Sequence, residues 1–387
     1  MWYLSIILIF IVLLLFIKLY IKIKYPFWSI QPVYHIYDFI GYFKLDKIIN
    51  NNTPSINKYV NIINIKTYDI SDLNSKQIDK ICDFIRNNFI RINNYIEYIP
   101  ENHNIIEYLK SSNHPSYVNI YKQPCYTKNC EEEYYSVMTA RPLNVTLNNN
   151  SFLIYYIDNL CVIEAMRKKN IANKSIQTFY YNGSHLYPKI QVHLFKREGK
   201  LTAIVPLTIF NIKAFNISNI FTVNLPHSMY KVVEISSSNL NMFTNFINLK
   251  KQSLQCIILP DLTNLINNIK ANNLSLYGIL SNNTLISIYV FRDCATYYEN
   301  QKTGELLCSL ENCDTNLFVA GFTHALKLFC KKIKAYKVIM DETSSNIIVC
   351  NYLSKVNIKP FLITNGAFYL YNYRCKTITP SKCFICA

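Results

Sequence analysis

The sequence predicts a mixed α/β fold made of two pseudo-equivalent halves, preceded by an N-terminal transmembrane helix. Three observations carry this expectation. Residues 2–17 hold one small polar residue, Ser5, and no charge. β-rich runs around Asn-rich turns occur twice, once in each half of the chain. Each such hairpin is followed by a helical pattern and then by another strand-like run.

The bulk numbers bound the alternatives. The chain has 387 residues and is 50% hydrophobic, which excludes a disordered chain, and its 7 Gly exclude a collagen-like or Gly-rich one. Forty Lys and Arg face 24 Asp and Glu, a formal charge of +16. The 31 Tyr and 22 Phe belong, like Asn, Ile and Lys, to A/T-rich codons. A base-composition bias would raise Lys without any binding role, and would suit the genome of a large DNA virus. Attraction to a membrane surface or a phosphorylated ligand would use the same charge. The largest basic clusters, Arg167-Lys168-Lys169 and Lys331-Lys332, are short, which argues against nucleic acid as a partner. The 13 Cys are odd in number, and Cys125/Cys130, Cys308/Cys313 and Cys383/Cys386 assemble no four-ligand metal site. Reduced, mostly buried thiols in a cytosol-facing domain are expected.

Taken in order, residues 2–20 as a helix would span about 30 Å, the thickness of a bilayer core. Trp2 and Tyr3 at one end, and Tyr20 and Tyr25 at the other, are placed like an aromatic belt. A basic start and a small-residue cleavage site are lacking, so an uncleaved anchor is expected rather than a signal peptide. Lys18, Lys22 and Lys24 follow the apolar run and place the remaining chain in the cytoplasm.

Residues 76–94 carry Ile78, Ile81, Cys82, Ile85 and Phe89 at helical spacing. Runs 134–139 and 152–162 flank an Asn-rich turn and read as a hairpin. A helix is expected over 164–181, strands over 191–195 and 203–210, and a loop over 216–225. In the second half, 262–269 is helical, and 274–280 and 285–291 are strands around Ser281-Asn282-Asn283. A helix over 317–333 presents Val319, Phe322, Leu326 and Phe329 on one face. A strand over 336–340, a helix over 347–355 and a strand over 367–373 complete the chain. Hairpin, helix, strand, helix, strand is similar to the order of the GNAT type of acyl-CoA-binding domain. Its double occurrence suggests an anchor over 1–24, an acyl-CoA half over 25–215 and a second half over 216–387.

Three stretches carry a more specific resemblance. Tyr25-Pro26-Phe27-Trp28-Ser29-Ile30-Gln31-Pro32-Val33 resembles the Y-x-F-W-x-T-Q-P-V sequence of eukaryotic N-myristoyltransferases. Leu160-Cys161-Val162, with Arg167, Lys169 and Ala172 following, resembles their N-F-L-C-V-H-x-x-L-R-x-K-R-x-A. Tyr369-Leu370-Tyr371-Asn372-Tyr373-Arg374-Cys375 resembles their Y-L-Y-N-W-K-C. The three occur in the family's order, and the resemblance covers most of residues 25–387.

The resemblance implies myristoyl-CoA as co-substrate, no permanently bound cofactor, and an N-terminal glycine peptide as acceptor. Tyr25, Phe27 and Trp28 would lie against the CoA. Leu160, Cys161 and Val162 would line it from the strand. Arg167, Lys168, Lys169, Asn170, Ile171 and Ala172 would hold its pyrophosphate through cations and helix-terminal amides. The backbone amides of Asn159 and Leu160 would form the oxyanion hole, and the C-terminal carboxylate of Ala387 would be the base. No cysteine is needed as a nucleophile.

This chain departs from the family pattern in four places. The tail from Cys375 is about one residue short. Asn211 and Ile212 stand where the family has an aromatic and a His in the peptide site. Tyr98, Ile99 and Pro100 replace an acidic run, and a Gly-rich turn is reduced to Asn365-Gly366. The acyl-CoA half is therefore better kept than the peptide half. Two other readings stay open: a non-catalytic binder of acyl-CoA or acyl-peptide in the membrane, and a transferase acting on another amine.

Overall fold

The computed structural model describes residues 2–89, 91–92, 95–123 and 133–387. Cys125 and Cys130 lie outside the described residues. Helix α1 (Trp2–Lys24) contains neither Gly nor Pro and is long and apolar enough to cross a membrane. Ile21 alone among its residues is buried, and Lys22 and Lys24 lie in its last turn. Pro26 then disfavours further helix. The chain passes through two 3-10 turns, Trp28–Ile30 and Phe39–Phe43, to the short strand β1 (Lys47–Ile48).

The first lobe contains β2 (Ile65–Asp69), α2 (Ser75–Asn88), β3 (Arg91–Ile92), β4 (Ile96–Tyr98), α3 (Asn102–Leu109) and β5 (Tyr117–Lys122). It continues with β6 (Tyr134–Leu147), β7 (Asn150–Val162), α4 (Ile171–Leu186), β8 (Val192–Glu198) and β9 (Thr208–Asn216). Helix α2 starts at a capping box between Asn74 and Gln77 and buries Ile81, Cys82 and Ile85. It ends where Phe89 turns extended, short of the expected 94. The β6–β7 hairpin turns at Asn148 and Asn149, both left-handed (φ 46° and 70°), as a two-residue hairpin requires. Pro142 lies within β6 between the residues paired to β5, which end at Ala140, and those paired to β11, which begin at Asn144. No ladder bond is lost there.

Two expectations shift. The helix expected from 164 begins at Ile171. A 3-10 turn, Glu164–Met166, and left-handed Lys168 and Asn170 come first. The strand expected over 203–210 forms at Thr208–Asn216, because Pro206 cannot donate to a ladder.

The second lobe contains β10 (Lys231–Ile235), α5 (Leu240–Lys250), β11 (Cys256–Leu259), α6 (Leu262–Lys270), β12 (Leu274–Ser281), β13 (Thr284–Tyr298) and β14 (Gln301–Glu311). Then come α7 (Thr315–Ile333), β15 (Lys337–Asp341), α8 (Asn346–Lys355), β16 (Leu362–Tyr371), β17 (Tyr373–Arg374) and β18 (Cys383–Ile385). The strand β14 is not evident in the sequence, because Gly304 and polar residues interrupt its apolar pattern.

The strands join in the order β10-β12-β13-β14-β15-β9-β16-β8-β7-β6-β11-β18. Two GNAT-like units are visible in this order. In one, β5, β6 and β7 are antiparallel, α4 crosses over, and β8 returns parallel to β7. In the other, β12, β13 and β14 are antiparallel, α7 crosses over, and β15 returns parallel to β14. Strand β9 pairs with β15, and β16 pairs with β8, so each unit is completed by a strand from the other part of the chain. Both parallel pairs are short. Strand β7 runs on past Tyr156, and β14 past Leu306, without their partners. Beyond Leu306 the gap is filled by β18, whose Phe384 packs with Leu307, Cys308 and Leu310.

An aromatic layer lies under α7, where Phe318, Phe322 and Phe329 pack on Tyr289 and Phe291. Gly304 allows this close approach, because a Cβ there would overlap the Phe329 ring. Gly304→Ala is expected to lower stability by roughly 1–3 kcal/mol through overpacking, read as a shift of the urea midpoint at unchanged slope.

Candidate acyl-CoA and acceptor site

The N-terminal aromatic segment and the tail motif meet in space. Tyr371 donates from its hydroxyl to Oε1 of Gln31 at 2.6 Å, and Gln31 donates from Nε2 to the Phe27 carbonyl at 3.3 Å. The Asn372 amide donates to the Pro32 carbonyl at 2.7 Å. Trp28 stacks on Phe195 of β8 with centroids 5.7 Å apart, and Phe195 stacks on Tyr369 at 5.3 Å. Phe27 is buried between Trp28 and Tyr59, while Tyr25 continues from α1 by donating its amide to the Ile21 carbonyl. The link to α4 runs through the Asn61 amide, which donates to Oγ1 of Thr178 at 2.9 Å. Trp28 also packs against the cluster of Val33, Ile204, Ala367, Tyr369 and Tyr371, to which α4 contributes Tyr180.

Strand β7 is irregular where the oxyanion amides are expected. Its register to β6 slips between Val137 and Thr139, opposite Asp158 and Cys161, and Asn159 is left-handed at φ 50°. Asn159 and Leu160 thus fall out of the ladder, as in a β-bulge. The Asn159 amide donates to Oδ1 of Asp158 at 2.8 Å, and its side-chain Nδ2 donates to Oγ1 of Thr139 at 3.1 Å. Cys161 points into the core, where burial pushes its thiol up to about 12. Cys161 can therefore serve the site only through its backbone. Val162 precedes the turn that carries Arg167, Lys168, Lys169 and Asn170, all exposed. Arg167 donates from Nε to the Val162 carbonyl at 3.2 Å, which folds the turn back on the strand end. Helix α4 has no side-chain cap and no acid in its first turn. The amides of Ile171 and Ala172 therefore sit at an uncapped, positively polarised helix terminus beside three cations, an arrangement suited to a pyrophosphate.

Ala387 is buried at 5% exposure, and one of its oxygens accepts from Nη1 of Arg292 at 3.0 Å. Arg292 also meets Glu305 at 2.6 Å and 2.8 Å. The Lys196 ammonium lies 3.9 Å from Glu305, 2.8 Å from Asp341 and 3.6 Å from Glu198. A chain of charges thus runs from β15 through β8, β14 and β13 to the C-terminus. Arg141 lies beside it, 4.7 Å over the Tyr108 ring and 5.1 Å from that of Tyr156. Burial works against the Glu305 charge, but Arg292 and Lys196 outweigh it and hold the carboxyl below its usual range. Burial likewise opposes the Lys196 charge, yet Asp341, Glu305 and Glu198 raise its ammonium well above the usual value. Asp341 is pushed up to about 6, chiefly by burial and despite Lys196.

Three solved structures of N-myristoyltransferase from Saccharomyces cerevisiae share this architecture. One, with bound myristoyl-CoA, is 13% identical, with a TM-score of 0.68 over 92% of this chain and 94% of that one. A second, also with bound myristoyl-CoA, is 14% identical, with a TM-score of 0.70 over 92% and 90%. A third, with bound myristoyl-CoA and inhibitors, is 14% identical at a TM-score of 0.68 over 94% of both. The chain has the N-myristoyltransferase fold. No family model matches the sequence, and no curated protein does.

On this N-myristoyltransferase fold, the structure brings Trp28, Gln31 and Pro32 against the tail, while Phe27 packs between Trp28 and Tyr59 and Tyr25 stays at the end of α1. It sets Asn159, Leu160, Cys161 and Val162 on one irregular strand, and gathers residues 167–172 at the start of α4. Ala387 lies in the charge chain, held by Arg292, which is also within electrostatic reach of Asp158 beside the bulge. Sequence reasoning did not single out Arg292, Glu305, Lys196, Asp341 or Asp158. The available signal was charge at the edge of an apolar run within a strand, as at Arg292 after Phe291 in β13 and Asp341 after Met340 in β15, since such charges leave water only when paired. The described cysteines are all free thiols, and no group of three or more metal-ligating side chains is found among the described residues. A cavity of about 500 Å³ between Asp69 and Ser116 contains none of the motif residues.

The Asp341 shift carries a sign. Its folded value of about 6 lies above the unfolded 3.8, so its contribution to stability is complete below 3.8 and is lost as pH rises through 6. Glu305 is shifted the other way, and its contribution is lost only as pH falls below its ordinary 4.5. Asp341→Asn is therefore expected to flatten the pH dependence of the urea midpoint between about 4.5 and 6 relative to the parent. Parallel midpoint curves for the two proteins would contradict the assignment.

Proposed function

We propose that the chain is a membrane-anchored N-myristoyltransferase, moving myristoyl from myristoyl-CoA to the N-terminal glycine amine of a protein. The observation that carries this reading is the meeting of two sequence-distant motifs, Gln31 with Tyr371 and Pro32 with Asn372, within that fold. Tyr25, Phe27 and Trp28 would flank the CoA together with the backbone of Leu160, Cys161 and Val162. Arg167, Lys168 and Lys169 would neutralise the pyrophosphate, and the amides of Asn170, Ile171 and Ala172 would donate to it. The amides of Asn159 and Leu160, already outside the ladder, are suited to the oxyanion that forms on the thioester carbonyl. The amine attacks that carbonyl carbon, the C–S bond breaks, and the CoA thiolate leaves. The Ala387 carboxylate accepts the amine proton through the oxygen not held by Arg292. In this reading residues 25–215 bind acyl-CoA and 216–387 supply the acceptor side. Helix α1 anchors the enzyme with its catalytic part in the cytoplasm.

A second reading is a binder of acyl-CoA or acylated peptide without turnover. It is favoured by the Arg292 contact on Ala387 and by Ile212 in the diverged peptide region. Transfer of labelled myristoyl from myristoyl-CoA to a Gly-terminated peptide is expected. Binding of myristoyl-CoA without transfer would assign the second reading.

Appending one residue after Ala387 moves the carboxylate by a residue's length. A general base contributes on the order of 10²–10⁴ in rate, so a loss of that size in kcat is expected. Unchanged kcat would remove Ala387 from the mechanism.

A further inference from the structure

The buried charges at the acceptor end do not balance without a ligand. Arg141 and Arg292 are the cations there, and Glu305 and the Ala387 carboxylate are the corresponding anions. Lys196 and Asp341 neutralise each other, and the exposed Glu198 lies 3.6 Å from the same ammonium. Asp158 is left over. It is partly buried and makes no contact ion pair among the described residues. Arg292 lies within electrostatic reach, Tyr98 and Tyr156 are its titratable neighbours, and it accepts from the backbone amide of Asn159 at 2.8 Å. In the N-F-L-C-V sequence that this stretch resembles, the corresponding position is the neutral Asn. The site therefore carries one extra negative charge next to the bulge.

We infer that Asp158 binds the incoming amine as its ammonium ion and takes the first of the two protons that nitrogen loses. This rests on the acyl-transfer reading above. The geometry comes from the shared amide. An oxyanion on the Asn159 amide would sit about 2.7–3.1 Å from that nitrogen, and the Asp158 oxygen already lies 2.8 Å from it. One N–H cannot serve both oxygens at full strength. A bound thioester thus displaces the carboxylate by about one hydrogen-bond length and leaves it beside the carbonyl under attack. The displaced carboxylate needs a new donor, and an ammonium supplies it.

The proton count gives the two carboxylates separate tasks. An α-amine is mostly protonated at neutral pH, with a pKa of about 7.7–8.0, and cannot attack in that form. The ammonium passes one proton to Asp158, which is partly exposed and can release it to water. The free amine attacks the thioester and its nitrogen passes a second proton to the Ala387 carboxylate. The leaving CoA thiolate takes up that proton as the C–S bond breaks. The products are the amide, CoA thiol and one proton in solvent. Ala387 alone is poorly suited to the first task, because it is buried and one oxygen already accepts from Arg292.

The test uses the full chain in lipid nanodiscs. With a non-transferable analogue of myristoyl-CoA that keeps the carbonyl (a ketone with CH2 between carbonyl and sulfur) bound, peptides with free and with acetylated Gly termini are titrated onto the parent and Asp158→Asn. The parent is expected to prefer the free amine at least tenfold, and Asp158→Asn to bind the two alike with unchanged affinity for the analogue. A preference retained in Asp158→Asn overturns the inference. In turnover, kcat/KM of Asp158→Asn should follow the free-amine fraction, rising about tenfold per pH unit below about pH 8, while the parent is flatter and Asp158→Glu restores part of the difference. Superposable profiles also overturn it. A parent that transfers nothing sinks the acyl-transfer reading, and the peptide titration still decides the role of Asp158.

Discussion

The structure is organised around one part-buried contact, that between the C-terminus and Arg292. Strand β18 pairs parallel with β11, which is itself joined to β6, and the chain then ends against β13. The last residues thereby fill the gap that opens beyond Leu306 of β14. Arg292 could not be buried alone, because an unpaired charge in this setting costs several kcal/mol. Glu305 answers it, Lys196 answers Glu305, and Asp341 answers Lys196. The chain of charges crosses from one lobe to the other through β8.

The pseudo-symmetry of the lobes gives this contact its meaning. Both lobes have a parallel strand pair that separates after three or four residues. In one the gap is closed by β18. In the other β7 carries the bulge at Asn159 and Leu160, and its end leads to the cationic turn before α4. One opening is thus consumed by the protein's own tail, while the other keeps backbone amides out of the ladder. The aromatic segment that begins at Tyr25 follows α1 directly, and Lys18 of α1 lies 5.8 Å over the Tyr37 ring. In the proposed function, this junction sets the acyl-CoA end of the enzyme close to the membrane, where a lipidated product could insert.

Much of this was legible locally. The α1 span, the α2 and α7 stripes and the Asn-rich hairpin turns follow from patterns within a few residues, and the structure reproduces them. The left-handed pair Asn148 and Asn149 is a case in which residue type and turn geometry agree. The three motifs were legible as a set because order along the chain is preserved. The start of α4 was misplaced because left-handed Lys168 and Asn170 interrupt a sequence with good helical pattern. Strand β14 was missed because Gly304 answers to Phe329, which is 25 residues away in the chain.

The sequence by itself determined the apolar N-terminal helix, the doubled hairpin–helix–strand order and the family-like motifs. These depend on side-chain period, turn chemistry and residue order, all of which are local. Tertiary structure alone decided which strands complete which lobe, that the tail fills the second gap, and that Asp158, Arg292, Glu305, Lys196 and Ala387 share one neighbourhood. Pairing of charges across a sheet depends on register and burial between segments as much as 145 residues apart, as in Lys196 and Asp341. No local pattern encodes that distance, because the attraction exists only once the fold has removed the water between them.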